Sequence, residues 1–491
     1  MESVRQEKFE RYNFDEPATD IYNTEQMAIL GMGLPPPELL KYCSPIMELA
    51  TAHRMSLVVF GFLQHCDMEN VRKEVPMNHL FDGGDLNVYD HKIANLSAGA
   101  PGPDLLQESA KYICLATEKR VKYEVENKSF LFQYGPTIGT TEFRETLASF
   151  LTEGYCSEVN KSDLVQTSGA TSGLHLILST LVDLAGVIFV DEYTYMIALE
   201  TISQFNTMKI VPVPLEEDGP NVGTLKDLLE QHRFEPKGKL FWGVYYTMPT
   251  FHNPTGIVFS EEKCHQLIKL ARESDILIAC DDVYNLLHYG DPDGAPPKRL
   301  FAYDIVDLGV VEGWRGNVIS NGSFSKILSP GIRLGWMECP PRCVEAFRNS
   351  GVLKSGGAAN NYTGGIVSTL IQMGLARRQV QLYSSNYSAR LQAMLETLEI
   401  HLPKECSFSR PQGGYFVWIR FPEHIDCVAL NQYSMEKHRV AGVPGPRFSY
   451  SGEARNFIRF TFAFHAPDYL RRSVASFCAA ARDFMAKTGP V

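Results

Sequence analysis

An excess of positive charge, long apolar runs and closely paired cysteines are all missing from this sequence of 491 residues. Lys and Arg number 46 against 57 Asp and Glu, which gives a net charge of −11. Phosphate backbones require a basic surface, so this balance argues against a nucleic-acid partner. The most apolar early run, residues 56–63, is far shorter than the ~20 residues that cross a bilayer. We therefore expect contact with neither nucleic acid nor membrane.

The cysteines and the first residues bear on the compartment. The 11 cysteines are scattered, and no two of them form a C-x-x-C pair. In a chain long enough to bury a large core, this scatter indicates reduced intracellular thiols instead of a disulfide scaffold. Residues 1–16 mix acids and bases without an apolar segment, unlike a signal or transit peptide. We therefore expect a cytoplasmic protein.

The chain divides by composition. In residues 1–90 acidic residues outnumber basic ones, and Pro-Pro-Pro and Gly-Gly interrupt the sequence; we interpret this part as an N-terminal extension with a helix over Glu38–Leu63. From about residue 161, short apolar runs alternate with amphipathic stretches, which is typical of a parallel sheet covered by helices. The predicted strands are 163–169, 186–190, 240–246, 276–282 and 317–323, and the predicted helices are 174–181 and 260–275. Ligands of such sheets bind at the carboxyl ends of the strands.

Three short motifs lie at those strand ends. SGAT at 168–171 begins a helix, whose free N–H groups attract anions, although the motif alone favours an ordinary βα turn with a Thr cap. HNPTG at 252–256 is a turn by composition that would hold Asn253 as a hydrogen-bond donor. Asp281 ends an apolar strand, where a carboxylate is costly unless paired, and Tyr284 follows it. A solvated strand end and a packed core tyrosine are the ordinary explanations of these two residues.

A fourth stretch, NGSFSKILSPGIRLGW at 321–336, combines phosphate-binding groups with a lysine. Ser323, Ser325 and Arg333 suit a phosphate, the arginine through its fork of donors. Lys326 would lie beside that phosphate, where apolar surface and other cations lower the pKa of a lysine and make it a nucleophile for carbonyls. A surface lysine in a flexible loop is the ordinary alternative.

A fifth stretch, FIRFTFAF at 457–464, contains one charge, Arg459. A buried arginine needs an anion, which is either an internal carboxylate or that of a substrate. Together the five stretches supply an amine nucleophile, a phosphate site, a strand-end carboxylate, two hydrogen-bond donors and a carboxylate clamp. Pyridoxal 5′-phosphate (PLP) needs this set of groups to act on an amino acid.

In this order the motifs resemble the fold-type I PLP enzymes, the class I and II aminotransferases, and within them the branch of 2-aminoadipate and kynurenine aminotransferases. The resemblance covers about residues 93–485. It also rests on NLSAGAPGPDLL (95–106), FQYGPTIGTTEFRETLASFL (132–151), VDEYTY (190–195), CDDVYNLLHYG (280–290) and RPQGGYFVW (410–418). It implies an aspartate aminotransferase-like α/β fold: a three-layer α/β/α large domain (131–374) with a mainly parallel sheet, and a smaller α+β domain (91–130 and 375–491).

The resemblance also implies a role for each candidate residue. Lys326 would be the Schiff-base lysine and Asp281 the partner of the pyridine nitrogen, and with Tyr284 they form the catalytic set. The residues implied to hold the cofactor are Ala170, Thr171, Tyr195, Asn253, Asp281, Tyr284, Ser323, Lys326, Arg333 and Tyr134. Tyr134 would reach the phosphate of a neighbouring subunit. Arg459, with Asn253, would bind the substrate carboxylate. Two residues depart from the family pattern: Ala170 replaces a frequent hydroxyl, and Tyr193 a usual proline.

The implied function is transamination from an L-amino acid to a 2-oxo acid, most often 2-oxoglutarate. The mechanism would be ping-pong, through a Schiff base of Lys326, in a homodimer with shared active sites. A lyase or cyclopropane-forming reaction would use the same fold and lysine, and it remains the main alternative. A PLP-sensing regulator and an inactive paralogue fit less well, because the acidic residues 1–90 oppose DNA contact and the set of site residues is complete.

Overall fold

The computed structural model describes residues 92–290, 295–306 and 316–488. The N-terminal extension predicted over residues 1–90, with its helix at Glu38–Leu63, lies outside the described residues. Within the described ranges, no helix combines the length and the apolar character that a membrane span requires.

Strands and helices alternate along the described chain. The strands are β1 (Ala94–Asn95), β2 (Leu164–Thr167), β3 (Val182–Asp191), β4 (Lys209–Val213), β5 (Leu215–Glu216), β6 (Gly219–Pro220), β7 (Phe241–Thr247), β8 (Leu277–Asp281), β9 (Val318–Ser323), β10 (Gly335–Glu338), β11 (Ser407–Phe408), β12 (Phe416–Arg420), β13 (Val440–Ala441), β14 (Val443–Pro444) and β15 (Phe457–Thr461). The α-helices are α1 (Pro103–Glu126), α2 (Thr141–Tyr155), α3 (Ala170–Leu181), α4 (Met196–Ile202), α5 (Val222–His232), α6 (Glu261–Ser274), α7 (Leu300–Val306), α8 (Pro341–Arg348), α9 (Gly351–Lys354), α10 (Asn361–Gln372), α11 (Leu375–His401), α12 (Cys427–His438) and α13 (Pro467–Thr488).

A seven-stranded sheet with the order β2-β10-β9-β8-β7-β3-β4 forms the centre of the fold. Strand β10 runs antiparallel to β2 and β9, and the other neighbours are parallel. The carboxyl ends of β7, β8 and β9 therefore lie side by side at one edge of the sheet. This arrangement confirms the predicted α/β fold with a mainly parallel sheet.

Both faces of this sheet are buried, as β3 illustrates. Ile188 packs on one face in a cluster with Leu178 of α3, while Phe189 packs on the other face in a cluster with Leu225 of α5. Side chains of a strand alternate between faces, so the segment of β3 that helices cover on both sides, residues 187–190, is apolar. Burial of such a side chain stabilises the fold by roughly 1.5–3 kcal/mol.

The predicted elements are confirmed, and two of them differ from their predicted bounds by more than two residues. The helix expected from residue 174 begins at Ala170, because its first turn, Ala-Thr-Ser-Gly, is too small and polar to show apolar periodicity. The strand expected at 186–190 extends over Val182–Asp191, with an irregular pairing between Val182 and Val187. Helix α6 begins after Ser260, whose hydroxyl accepts a hydrogen bond from the Lys263 N–H, as an N-cap residue does.

A second, antiparallel sheet has the order β11-β12-β15-β14. Arg459 of β15 lies opposite Trp418 of β12 and Val443 of β14. Strand β1 pairs in parallel with β13, so the described chain begins against its C-terminal part. The proposed small domain, residues 91–130 and 375–491, contains these strands, and its boundary with the large domain (131–374) stays a prediction.

Candidate active site

One cavity at the carboxyl ends of β8 and β9 collects most of the predicted site residues. Its lining consists of Ala170, Thr171, Tyr195, Met248, Asn253, Asp281, Val283, Tyr284, Ser323, Ser325, Lys326, Pro330 and Arg333. Of the predicted set, Arg459 and Tyr134 do not line it. The residues come from the start of α3, the loop before α4, the turn after β7 and the ends of β8 and β9, so the parallel topology brings distant parts of the sequence together.

Asp281 ends β8 with its side chain buried. Its Oδ2 accepts a hydrogen bond from the Tyr246 hydroxyl at 2.8 Å, and its Oδ1 is buried without a hydrogen-bond partner. Burial raises the pKa of Asp281 to about 6, while Tyr246 and Lys326 oppose the rise and Asp282 adds to it. A buried carboxylate oxygen without a donor is costly, so this oxygen suits a ligand that brings an N–H group.

The Lys326 amine is buried at the cavity. Its Nζ donates to the Gly99 carbonyl at 2.6 Å. Burial lowers the pKa of Lys326 to about 8, with Arg459 and Arg333 acting in the same direction and Asp281 against it. A neutral amine is the nucleophilic form, and it is half-populated at a pH equal to its pKa.

Hydroxyl groups hold the backbone around this lysine. The Tyr415 hydroxyl donates to the Lys326 carbonyl at 2.8 Å, and the Tyr383 hydroxyl and Ser109 Oγ donate to the Leu328 carbonyl at 2.8 and 2.7 Å. In the sequence, Tyr383 lies 55 positions and Ser109 lies 219 positions from Leu328, and Tyr415 lies 89 positions from Lys326. Sequence reasoning gave none of them a role. Tyr415 lies in the quoted RPQGGYFVW stretch, but nothing local shows which carbonyl a hydroxyl from another element reaches.

The turn from β2 into α3 faces the serine and arginine predicted to bind phosphate. Gly169 has a φ of 89°, a conformation that glycine adopts freely, and a Cβ there would lie 3.1 Å from Arg333 Nη2. Ser323 Oγ donates to Ser325 Oγ at 2.9 Å. The helix start, hydroxyls and guanidinium form an arrangement suited to a phosphate. At Ala170 the chain contributes backbone only.

Arg459 is buried and has no acidic partner among the described residues. Its Nη1 donates to Asn253 Oδ1 at 2.8 Å and its Nη2 to the Ser97 carbonyl at 2.9 Å. The guanidinium lies 3.9 Å from the ring centroid of Phe416 and 4.8 Å from that of Phe448. Burial lowers the pKa of Arg459 to about 10. Neutral oxygens and aromatic rings hold this cation, and its charge remains available to an anion.

The predicted aromatic residues differ in position. Tyr195 precedes α4 and lines the cavity, and Tyr284 packs its ring against Tyr415 with centroids 5.2 Å apart. Tyr193, at the position where the family pattern has proline, contacts Trp418 with centroids 6.2 Å apart. Tyr134 is 81% exposed and contributes nothing to the cavity of its own chain, so its role towards a second subunit stays a prediction.

Sequence reasoning also missed Tyr246 and a buried group around Asp191. In the sequence, the strand predicted at 240–246 is a short apolar run, and nothing in such a run distinguishes a hydrogen-bonding tyrosine from a core tyrosine. Asp191 accepts hydrogen bonds from the hydroxyls of Tyr245 and Thr247, and His252 Nε2 lies 3.2 Å from Asp191 Oδ2. Only the register of adjacent strands shows which carboxylate each tyrosine reaches.

The residues present fit PLP. Asp281 Oδ1, buried and without a donor, suits a protonated ring nitrogen. Lys326 offers an amine with a lowered pKa for the aldehyde, and the start of α3 with Ser323 and Arg333 suits the phosphate. The donor set thus matches the aldehyde, ring nitrogen and phosphate of this cofactor.

Comparison with known proteins agrees with this geometry. The family model described as aminotransferase class I and II matches residues 92–477. An aromatic-amino-acid aminotransferase of Thermococcus litoralis is 30% identical over 398 residues, which are 80% of this chain and 89% of that protein. A 2-aminoadipate transaminase of Thermus thermophilus is 28% identical over 373 residues, 76% of this chain and 85% of that protein.

Among solved structures, a Pyrococcus horikoshii kynurenine aminotransferase in complex with PMP matches with a TM-score of 0.70 and 26% identity. The match covers 86% of this chain and 99% of that one. With a family model spanning residues 92–477, the chain belongs to the aminotransferase class I and II family and is a PLP-dependent transaminase of fold type I.

Proposed function

We propose that this transaminase moves the amino group of an L-amino acid to 2-oxoglutarate in a ping-pong reaction centred on Lys326. The observation that carries the proposal is the placement of the buried Lys326 amine, with its lowered pKa, in the same cavity as the donor-free Oδ1 of Asp281. When bound, PLP supplies the electron sink that accepts the electron pair of the substrate Cα–H bond.

Lys326 moves the proton. A base that works near neutral pH needs a pKa close to that pH, and burial brings the pKa of Lys326 to about 8. In its neutral form the amine would take the proton from the substrate Cα, and in its protonated form it would deliver that proton to the carbon of the cofactor aldehyde group, within the same half-reaction. In the second half-reaction Lys326 would move a proton in the opposite direction, from the cofactor carbon to the Cα of the new amino acid. The Tyr415 hydroxyl, 2.8 Å from the Lys326 carbonyl, limits the movement of the backbone that carries the amine.

Asp281 keeps the ring nitrogen protonated, because an adjacent negative charge favours the charged form of that nitrogen. Asn253 and Tyr284 hold the ring oxygen. Because Asn253 Oδ1 accepts from Arg459, the NH₂ group of the same amide is left as the donor. Tyr195 stacks on the ring. The phosphate is bound by a set of residues at the helix start and beside it: Ala170, Thr171, Ser323 and Arg333.

Arg459 binds the α-carboxylate. The amino-acid donor and the 2-oxo-acid acceptor both carry this carboxylate, so the same arginine can bind the substrate of each half-reaction. This supports transfer of an amino group between the two. A bidentate arginine–carboxylate pair also fixes the orientation of its ligand. Asn253 contacts the same guanidinium at 2.8 Å and thereby links the substrate clamp to the cofactor.

A panel of amino-acid donors, each with 2-oxoglutarate, tests the reaction and its substrate. 2-Aminoadipate, kynurenine and aromatic and branched amino acids are the donors to assay, with glutamate formation as the readout. We expect glutamate to appear with at least one donor and the donor to be converted to its 2-oxo acid. Release of pyruvate and ammonia from a β-substituted amino acid, without any 2-oxo acid present, would instead identify an elimination enzyme.

Replacement of the lysine tests the assignment directly. We expect Lys326→Ala to lose transfer activity by at least about 10⁴-fold, because proton transfer and the amine nucleophile are removed together. Borohydride should fix cofactor to residue 326 of the wild type and to no residue of the variant, as peptide mass spectrometry would report. Lys354→Ala, a change at an exposed lysine, is the matched control. Retention of activity in Lys326→Ala would refute the assignment.

We also propose a homodimer with shared active sites. A patch of four aromatic residues is exposed by 43–81%: Phe130, Phe132, Tyr134 and Tyr362. The first three are alternate residues of one segment, and the ring of Tyr362 contacts that of Phe132. Clustered exposed aromatic residues are typical of interaction surfaces, and most homo-oligomers are two-fold dimers in which the same patch serves both subunits. The patch contains Tyr134, the residue implied to reach the phosphate of the neighbouring subunit.

A further inference from the structure

We propose that Tyr246 is a positioning residue for the reaction: its hydroxyl holds one oxygen of Asp281 so that the other oxygen faces the cofactor. The inference rests on the proposed function, in which Asp281 pairs with the pyridine nitrogen. Tyr246 does not line the cavity, and it acts through Asp281.

The geometry separates the two oxygens of the carboxylate. Tyr246 lies on β7 and Asp281 at the end of the adjacent parallel strand β8, where Tyr246 is in register with Ala279. The Tyr246 hydroxyl lies 2.8 Å from Oδ2, and Oδ1 has no partner. A carboxyl group held at one oxygen by a fixed donor loses most of its rotational freedom. The hydrogen bond therefore selects the orientation in which Oδ1 is left for a ligand.

A phenol suits this task better than a cation would. Lysine or arginine would bind Oδ2 more tightly, but its charge would compete with the protonated ring nitrogen for the carboxylate. Burial beside Asp281 raises the pKa of Tyr246 well above its usual value, so its hydroxyl keeps its proton and remains a neutral donor. Tyr246 is 1% exposed, and water is therefore not a competing donor at this position.

Tyr246 is one of the groups that set the pKa of Asp281. Burial and Asp282 raise the pKa of Asp281, whereas the Tyr246 hydroxyl and Lys326 lower it. The other titratable groups that face it, Tyr195 and Cys280, have raised pKa values and stay neutral near pH 7, as does Tyr284. Loss of the Tyr246 donor therefore raises the pKa of Asp281.

Strand β7 offers a matched control in the neighbouring residue. Tyr245 is 0% exposed, and its hydroxyl donates a hydrogen bond to Asp191 at the end of β3. Its side chain packs on the face of the sheet opposite to that of Tyr246. Tyr245→Phe and Tyr246→Phe each remove one buried hydroxyl that donates to a strand-end carboxylate. Only the second change affects Asp281.

The experiment is a titration of pyridoxal phosphate into the full chain between pH 5 and pH 9, with the dissociation constant read from cofactor absorbance. Pairing requires ionised Asp281, so wild-type affinity should fall as the pH drops below about 6. A hydrogen bond to a charged group corresponds to about one pKa unit or more. For Tyr246→Phe we therefore expect this fall to begin about one pH unit higher, which makes binding about tenfold weaker at pH 5. Tyr245→Phe should follow the wild-type curve.

Two further variants separate the outcomes. If Tyr246→Phe follows the wild-type curve while Asp281→Asn loses both affinity and pH dependence, the inference is overturned and the proposed function stands. If Asp281→Asn itself binds like the wild type, the proposed role of Asp281 fails. Should Tyr246→Phe not fold, 3-fluorotyrosine at position 246 keeps the shape and provides a stronger donor. The curve must then move to lower pH, and an unchanged curve or a move to higher pH overturns the inference.

Discussion

At the scale of one residue, the surroundings of Arg459 suit the carboxylate-binding role that we propose for it. A full positive charge is buried with two neutral oxygens, from Asn253 and Ser97, and the faces of two phenylalanine rings. A buried charge without a counter-ion is unfavourable. Burial therefore lowers the pKa of Arg459 to about 10. A ligand carboxylate removes that disadvantage, so part of its affinity arises from relief of a strained electrostatic state.

Truncation of this residue has a specific kinetic result. We expect Arg459→Ala to raise the KM for amino acids by about 10²–10³-fold, because loss of one partner of a buried charge pair costs about 2–5 kcal/mol. Steady-state kinetics against donor concentration measures the effect. Affinity for PLP should change much less than the KM, because Arg459 does not line the cofactor cavity and reaches it only through Asn253.

Arg420→Ala is the control for this prediction. Arg420 is exposed on the neighbouring strand β12, so its loss removes the same charge without touching the site. An equal loss of rate for Arg459→Ala with a primary amine that has no carboxylate would contradict the carboxylate role. It would indicate general damage to the fold instead.

At the scale of elements, we propose that the turn between β2 and α3 sets how close the backbone comes to the phosphate of bound PLP. Gly169 has a φ of 89°, and a Cβ at this position would crowd Arg333 Nη2 at 3.1 Å. We expect Gly169→Ala to weaken PLP affinity at least about tenfold, because the added Cβ would displace the Arg333 guanidinium from the phosphate, and a lost hydrogen bond to a charged group costs about 1.5–3 kcal/mol. A cofactor titration monitored by absorbance measures the change.

Gly331→Ala provides the comparison on the facing loop. A Cβ on Gly331 would have its nearest neighbour at 3.9 Å, and its φ lies outside the left-handed region. We expect its cofactor affinity to match that of the wild type. Equal affinities for both variants would show that the turn does not set the distance between backbone and phosphate.

Elements were predictable from the sequence to the extent that their signals are local. The apolar run at Leu277–Asp281 and the helix after Ser260 follow from composition and capping, and parallel topology then places Asp281 at the ligand-binding edge. The partner of Asp281 was not predictable, because a tyrosine in an apolar strand is equally a core residue. Only the register of β7 on β8 shows that Tyr246, and not Tyr245, reaches this carboxylate.

At the scale of the described chain, residues near its start contact site residues that lie more than 200 positions later. Ser97, close to the start of the described residues, accepts from Arg459, which lies 362 positions later. Gly99 likewise accepts from Lys326. These contacts hold the segment after β1 against β15 and the loop after β9, so the proposed substrate clamp depends on contacts between distant parts of the described chain. One predicted residue, Tyr134, stays outside these contacts with 81% of its surface exposed.

Hybrid dimers reveal whether Tyr134 serves the site of a second subunit. Tyr134→Ala should lower activity at limiting PLP, because a donor to the phosphate is lost, and Lys326→Ala should abolish it. In a dimer that shares Tyr134, a hybrid of these two variants has one site with both residues intact and one with neither. Random exchange makes about half of the dimers hybrid, so the mixture should recover about a quarter of wild-type activity. Native mass spectrometry confirms the exchange. If Tyr134 acted on its own subunit, every site of the hybrid would carry one defect, and a mixture no more active than its parents would rule out the shared site.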